Sequence, residues 1–349
     1  MKAISIGGLI IKNPIIQGGM GVGVSLSGLA SAVANEGGVG VISPAGIGLL
    51  YKKYSADYLN NCIYGLKEEI RKAREKTKGV IGVNVMVALS NYVDLVKTSF
   101  KEKADIIFSG AGMPLNLPEF KPENSATKLV PIVSSARAAK IICNKWLNNY
   151  NYIPDAIVLE GPKAGGHLGF KLNQLADEKC TLESLIIELR VFVNSFEEEN
   201  NCKIPIIAAG GIYNKDDIDS ILSSGADAVQ MGTRFVTTDE CDASDKFKQA
   251  YIDAKEEDVK IIQSPVGMPG RAISSPFIDE IEEGKRKPKG CPVNCIKTCD
   301  IDKAPYCIIA SLTNALKGNF SKGYAFAGAN VYKASKIETV KEVFKSLLF

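Results

Sequence analysis

At 349 residues the chain has room for two ordinary domains or for one α/β barrel. Hydrophobic residues make up 46% and charged residues 23%, which supports a sizeable core, and a net charge of +3 gives no case for nucleic acid or an anionic membrane as partner. No apolar stretch reaches the length of a membrane-spanning helix, and the start MKAISIGGLIIKNPII is broken by Lys12, Asn13 and Pro14, so neither a membrane span nor a signal peptide is expected.

In chain order the sequence alternates short apolar runs with amphipathic stretches. The apolar runs are 14-PIIQ-17, 39-VGVIS-43, 80-VIGVNVM-86, 105-DIIFS-109, 128-KLVPIVS-134, 155-DAIVLE-160, 204-IPIIAA-209 and 226-ADAVQM-231. They are apolar throughout instead of alternating, as parallel strands covered on both faces should be. Most precede a helical pattern. The stretch 25–38 is expected to start a helix at a Ser25 cap and stop at Gly37 and Gly38. The stretch 214–226 should start at Asn214, carry acids in its first turn and stop at Gly225. Eight such units predict a TIM (β/α)8 barrel, with a doubly wound open sheet as the alternative. Glycines cluster after the first, sixth, seventh and eighth runs, not after the first alone as in a dinucleotide fold.

From about Phe235 the rhythm breaks. Helical pieces near 243–254 and 306–318 flank 264-SPVGMPGRAISSP-276 and a cysteine-rich run. Residues 236–334 are read as an insertion between the last strand and the closing helix, capping the barrel mouth. The barrel is then 1–235 with 335–349.

Several positions point to chemistry. The loops 208-AAGGI-212 and 230-QMGTRF-235 follow the seventh and eighth strands, the usual phosphate site of a barrel. Gly210, Gly211 and Gly232 would let backbone N–H groups approach an anion, and Thr233 adds a hydroxyl; tight turns alone are the plainer reading. The opening 17-QGGMGVGVS-25 has the spacing of a dinucleotide fingerprint, but no acid ends the second strand to hold a ribose. Backbone at Gly19, Met20 and Gly21 lying against a flat ring system is the alternative. Asn84, inside an apolar strand, needs a partner for its amide, and Ser134 and Ser135 end the fifth strand in a similar position. His167 is the only histidine, set in 160-EGPKAGGHLGF-170. Its glycine neighbours are expected to expose the ring at the active end, where a neutral imidazole could take a proton or hold an oxyanion. A single histidine excludes a multi-histidine metal site, and no G-x-S-x-G elbow is present.

The motifs 14-PIIQGGMG-21, 84-NVM-86, 165-GGHLG-169, 205-PIIAAGGI-212 and 226-ADAVQMGTRF-235 together resemble the nitronate monooxygenase family, formerly called 2-nitropropane dioxygenases. That family includes the similar FMN-dependent enoyl-ACP reductase II. The resemblance runs from about Asn13 to Phe235 and more loosely through the C-terminal helices. It implies tightly bound FMN in a TIM barrel. Met20 and Gly21 should pass along the isoalloxazine, Asn84 should hydrogen-bond it, and Gly166 and Ser134 should lie near the ring. Gly210, Gly211, Gln230, Met231, Gly232 and Thr233 should hold the ribityl phosphate end. His167 matches the active-site histidine. The implied reaction is oxidation of an alkyl nitronate with O2 to a carbonyl compound and nitrite, with His167 either holding the nitronate oxygens or removing the α-proton of a neutral nitroalkane substrate. The alternative is NAD(P)H-dependent reduction of an enoyl-thioester. Lys163, Arg234 and Arg271 are candidate cations for an acidic substrate, or else surface charges and loop anchors.

Nine cysteines without an export signal suggest reduced thiols in the cytoplasm. Cys291, Cys295, Cys299 and Cys307 are spaced C-x3-C-x3-C-x7-C. Soft thiolates at this density could hold a metal or an Fe–S cluster, although zinc sites use closer pairs; free thiols or a redox-sensitive disulfide are the other readings.

Overall fold

In the computed structural model, which describes residues 1–291 and 293–349, the apolar runs become eight parallel strands. They are β1 (Ile15–Gln17), β2 (Val39–Ile42), β3 (Val80–Met86), β4 (Ile106–Gly110), β5 (Lys128–Val133), β6 (Ile157–Glu160), β7 (Ile206–Ala209) and β8 (Ala228–Met231). They pair in sequence order, and β8 closes onto β1 with Met231 opposite Gln17. The fold is a TIM (β/α)8 barrel, as the repeating pattern predicts.

The reason for unbroken apolar runs lies in how each strand divides its side chains. Ile106 and Phe108 of β4 join Ile16, Val41, Val130, Val158 and Ile207 in a core inside the barrel. Ile107, between them, belongs to a second core shared with the outer helices, along with Ile15, Val83, Leu129 and Val229. Both faces are dry, so both parities must be apolar. An N-terminal hairpin, Ile4–Ile6 with Leu9–Ile11, contributes Ile6 and Ile11 to the inner core.

The N-terminal rim uses one device three times. Asp105, Asp155 and Asp227 each stand just before an even-numbered strand. Each accepts a bond, at 2.8 Å, from the first or second N–H of the strand before: Ile81, Leu129 and Ile206. Arg74 and Arg190 pair with the first and last of these carboxylates.

Helices at Ser27–Asn35, Tyr58–Lys76, Tyr92–Lys101, Ala136–Tyr150, Leu182–Asn200 and Lys215–Ser223 follow their strands. The β4–β5 connection carries only a short 3-10 turn, Leu117–Phe120. The last barrel helix, Val340–Leu348, packs beside the helices at Ser27–Asn35 and Lys215–Ser223. Asn214 caps its helix as expected, with Asp216 and Asp217 in the first turn. Ser25 does not cap. The helix begins at Ser27, and the Ser25 hydroxyl instead bonds Met20 N and O. Asp242 and Glu69 supply the acceptors at that helix start, bonding Leu26, Gly28, Leu29 and Ser27.

After β8 the chain forms helices at Asp245–Asp253, Pro276–Glu282 and Ile308–Leu316. Between the first two lies an antiparallel hairpin, Val259–Gln263 with Pro269–Ile273, that the apolar pattern does not reveal. Its second strand pairs with Gly166–His167, so the segment after the barrel is tied to the loop after β6. Among the described residues no helix is long and apolar enough to cross a membrane.

Candidate active site

The C-terminal ends of the strands open into a cavity of about 500 Å³. That size suits a cofactor or small-molecule site. Met20, Gly21, Asn84, Ser134, Gly166, His167, Gly210, Gly211, Gln230, Met231, Gly232 and Thr233 all line it. The structure thus brings together every position singled out for a cofactor. Met231 is buried with the barrel–helix core as well as lining the cavity. Ser135 is a helix cap, accepting from Ala138 N at 3.2 Å.

The β7 and β8 loops have the makings of an anion cradle. Gly210 and Gly211 adopt φ of +100° and +83°, which side-chain-bearing residues rarely tolerate. Among the described residues the N–H groups of Gly210, Gly211 and Gly232 donate to no carbonyl. The Thr233 hydroxyl accepts from Gly328 N at 2.9 Å, which leaves its own proton to donate. Asn330 binds Gly211 O and braces the β7 loop from the opposite side.

Close approach governs the other end of the cavity. A Cβ on Gly19 would fall 2.5 Å from Asn84 Cβ, so the β1 loop lies directly on β3 only because it is glycine. The Asn84 side chain lies against Gly19, makes no hydrogen bond to protein among the described residues, and lines the cavity. That is the arrangement of an amide kept for a ligand.

Glu160, the last residue of β6, also lines the cavity. Its carboxyl has no hydrogen-bond or ionic partner among the described residues, and burial pushes it up to about 7. No motif marks Glu160 in the sequence; its one signal is that an acid closes the apolar run 155-DAIVLE-160.

His167 is not simply exposed by its glycine neighbours. Its backbone pairs with Gly270, its ring is half-buried, and the ring meets Phe326 edge-on at 5.0 Å. Nε2 lies 2.7 Å from Ser264 Oγ. Burial pushes the imidazole down to about 4, so the ring is neutral at ordinary pH. Ser264 and Phe326 have no local sequence signal, because only the fold brings them to residue 167.

Two of the three candidate cations are structural. Arg234 is buried, paired with Glu338 at 2.7 Å, and stacks on Tyr213. Arg271 donates to Pro162 O and Ala164 O and so anchors the loop after β6. Lys163 is exposed and is not part of the cavity wall. Of the clustered cysteines, Cys295 lines the cavity and is buried, Cys291 is exposed, and Cys299 and Cys307 lie between these extremes. Burial pushes the Cys295 thiol up to about 12, with Cys307, Cys291 and Cys299 adding to the effect. Pro292 of this run lies outside the described residues. Among those described, no three His, Cys, Asp or Glu side chains converge to hold a metal ion, and no cysteine is in a disulfide.

Comparison with known proteins agrees with this architecture. A family model described as nitronate monooxygenase matches residues 3–102 and 67–349. A probable nitronate monooxygenase of Staphylococcus aureus strain Newman is 28% identical over 334 residues, covering 85% of each chain. FabK from Thermotoga maritima superposes with a TM-score of 0.73 at 27% identity, over 97% of this chain and 92% of that one. A nitroalkane oxidase from Streptomyces ansochromogenes shares the fold, with a TM-score of 0.71 at 21% identity, over 97% and 95% of the two chains. The barrel, the cavity at its mouth and the family match along nearly the whole chain lead to one conclusion: the chain belongs to the nitronate monooxygenase family of flavin-dependent oxidoreductases.

Proposed function

We propose that the chain binds FMN at the barrel mouth and oxidises a small alkyl nitronate with O2 to a carbonyl compound and nitrite. The observation that carries this reading is one cavity joining two loops of free backbone N–H groups to the only histidine. The residues present suit a flavin mononucleotide. Gly210, Gly211, Gly232 and Thr233 would hold its phosphate, with Gln230 and Met231 beside them. Met20 and Gly21 would lie along the ring system, Asn84 would hydrogen-bond it, and Ser134 and Gly166 would border it. When bound, the flavin supplies the redox chemistry between nitronate and O2.

The chain's own groups bind and orient. A Glu160 carboxyl raised to about 7 is partly protonated at neutral pH and can donate a hydrogen bond to a ring carbonyl or nitrogen. A neutral His167 suits an N–H bond to a nitronate oxygen better than removal of a carbon-bound proton, because lowered proton affinity makes a weak base. Residues 236–334 form the substrate side of the cavity in this reading, through Met268, Cys295, Ile308 and Phe326. Nine unpaired thiols suit a reducing compartment such as the cytoplasm.

His167→Ala tests the assignment. Nitronate turnover should fall by about 10²–10³-fold, the size expected for one oxyanion donor, while flavin content stays intact. Full turnover in flavin-loaded H167A would remove His167 from the reaction.

The likeness to FabK supports a second reading, NAD(P)H-dependent reduction of an enoyl-thioester. In it His167 would donate a hydrogen bond to the thioester carbonyl.

A further inference from the structure

Ser264 follows the first strand of the hairpin and is 2% exposed. Its backbone N–H donates to Met268 O, and its own carbonyl accepts from Gly267 N, so the residue is fixed in a turn. A hydroxyl has one proton and two lone pairs. One lone pair of Ser264 Oγ accepts from Val266 N at 3.3 Å. The hydroxyl's closest partner is His167 Nε2 at 2.7 Å.

The two arrangements of that contact are not equivalent. If Ser264 donates, Nε2 accepts and the ring proton sits on Nδ1. If Nε2–H donates, the hydroxyl proton of Ser264 must find another acceptor. The other acceptor within its reach is the Tyr306 phenol oxygen, which also bonds Gln263 O at 3.4 Å and the Tyr324 hydroxyl at 3.0 Å. Tyr324 is fully buried, and Tyr306 is its hydroxyl's only partner among the described residues. With Tyr324 donating to Tyr306 and Tyr306 to Gln263 O, the tyrosine pair is satisfied without Ser264. Between the two acceptors the serine proton goes to the imidazole nitrogen, which is more basic than a phenol oxygen and lies at 2.7 Å.

Among the described residues Nδ1 itself has no protein partner. Thr237 Oγ1 is the one sealed, unpartnered side-chain polar atom among the described residues, so Nδ1 is not enclosed and opens to the cavity that the ring lines.

We propose that Ser264 is a positioning residue that holds His167 as the Nδ1–H tautomer, so that the cavity is offered a hydrogen-bond donor. This rests on His167 facing substrate, as argued above, and it refines the substrate class. An Nδ1–H ring favours a substrate that arrives with an anionic oxygen, a nitronate. A neutral nitroalkane would need its carbon-bound proton taken by a nitrogen that already carries one. The ring accepts a proton at Nδ1 only if the Ser264 hydroxyl first reverses.

The lone imidazole makes the test direct. Tag-free, flavin-loaded protein labelled with ¹⁵N-histidine contains a single ring to observe by two-bond ¹H–¹⁵N correlation at pH 7. The expected spectrum has a protonated Nδ1 and an unprotonated Nε2. Ser264→Ala should move population to the Nε2–H form, lower kcat/KM for propyl-2-nitronate about tenfold, and raise the ratio of nitroalkane to nitronate turnover. Ser264→Thr, which keeps the hydroxyl, should restore both readouts. A wild-type spectrum with protonated Nε2 overturns the proposal, and so does an Ala variant with unchanged tautomer. An Nδ1–H ring in a protein that turns over no nitronate would leave the tautomer standing and remove the substrate assignment.

Discussion

Asp242 reaches across 214 positions of sequence to accept a hydrogen bond from Gly28 N at 3.0 Å. The same carboxylate accepts from Leu26 at 2.8 Å and Leu29 at 3.1 Å. It therefore does for the helix at Ser27–Asn35 what a local cap does elsewhere, and it fastens the segment after β8 to the first βα unit. Asp242→Ala should lower stability by about 1–2 kcal/mol, the usual worth of a lost cap, and Asp242→Asn by less. Denaturant melts of the flavin-free protein check this; equal midpoints for Ala and wild type would show that the contact contributes nothing.

Glu160 and His167 give the stability a definite pH dependence of opposite signs. Glu160 is raised to about 7 from an ordinary value near 4.5, so between these values the folded state holds the proton more tightly than the unfolded. Its contribution is fully present below pH 4.5 and is lost as pH rises through 7. His167 is lowered from 6.5 to about 4, so the unfolded state binds more protons in that window, and stability falls as pH drops from 6.5 through 4. Glu160→Gln should gain on wild type as pH rises from 4.5 to 7, by about 1–3 kcal/mol. Parallel stability curves for the two proteins across that range would mean that Glu160 ionises normally.

The rim opposite the cavity should matter for stability alone. Asp227 takes Ile206 N at 2.8 Å and pairs with Arg190, at the N-terminal end of the barrel. Asp227→Ala should cost about 1–3 kcal/mol by orphaning a strand N–H, with flavin binding and turnover per folded molecule unchanged. A changed KM in the folded variant would contradict the separation of the two ends.

Much of this molecule was legible because a barrel writes itself into local pattern. Runs such as 105-DIIFS-109 are apolar at both parities because Ile106 and Phe108 face one core and Ile107 another. Glycines at 210 and 211 stood out because their φ values are ones that other residues avoid. What stayed hidden depends on distant partners. Ser25 looks like a cap, yet the acceptor at that helix comes from Asp242. The strand 259-VKIIQ-263 gives little apolar signal because its sheet is small and lies outside the barrel, so neither the hairpin nor its tie to His167 is legible in the sequence. For Arg234 and Arg271 the sequence leaves substrate cation and loop anchor both open, and only distant partners decide for the anchor: Glu338 for Arg234, and the carbonyls of Pro162 and Ala164 for Arg271.

The most direct test of the account is anaerobic mixing of the flavin-loaded protein with propyl-2-nitronate and, separately, with NADH, followed by the flavin absorbance. The account predicts rapid loss of the oxidised flavin band with nitronate, none with NADH, and oxygen uptake with release of nitrite once air is admitted. Rapid bleaching by NADH with no response to nitronate would contradict it and assign the barrel to the reductase reading instead.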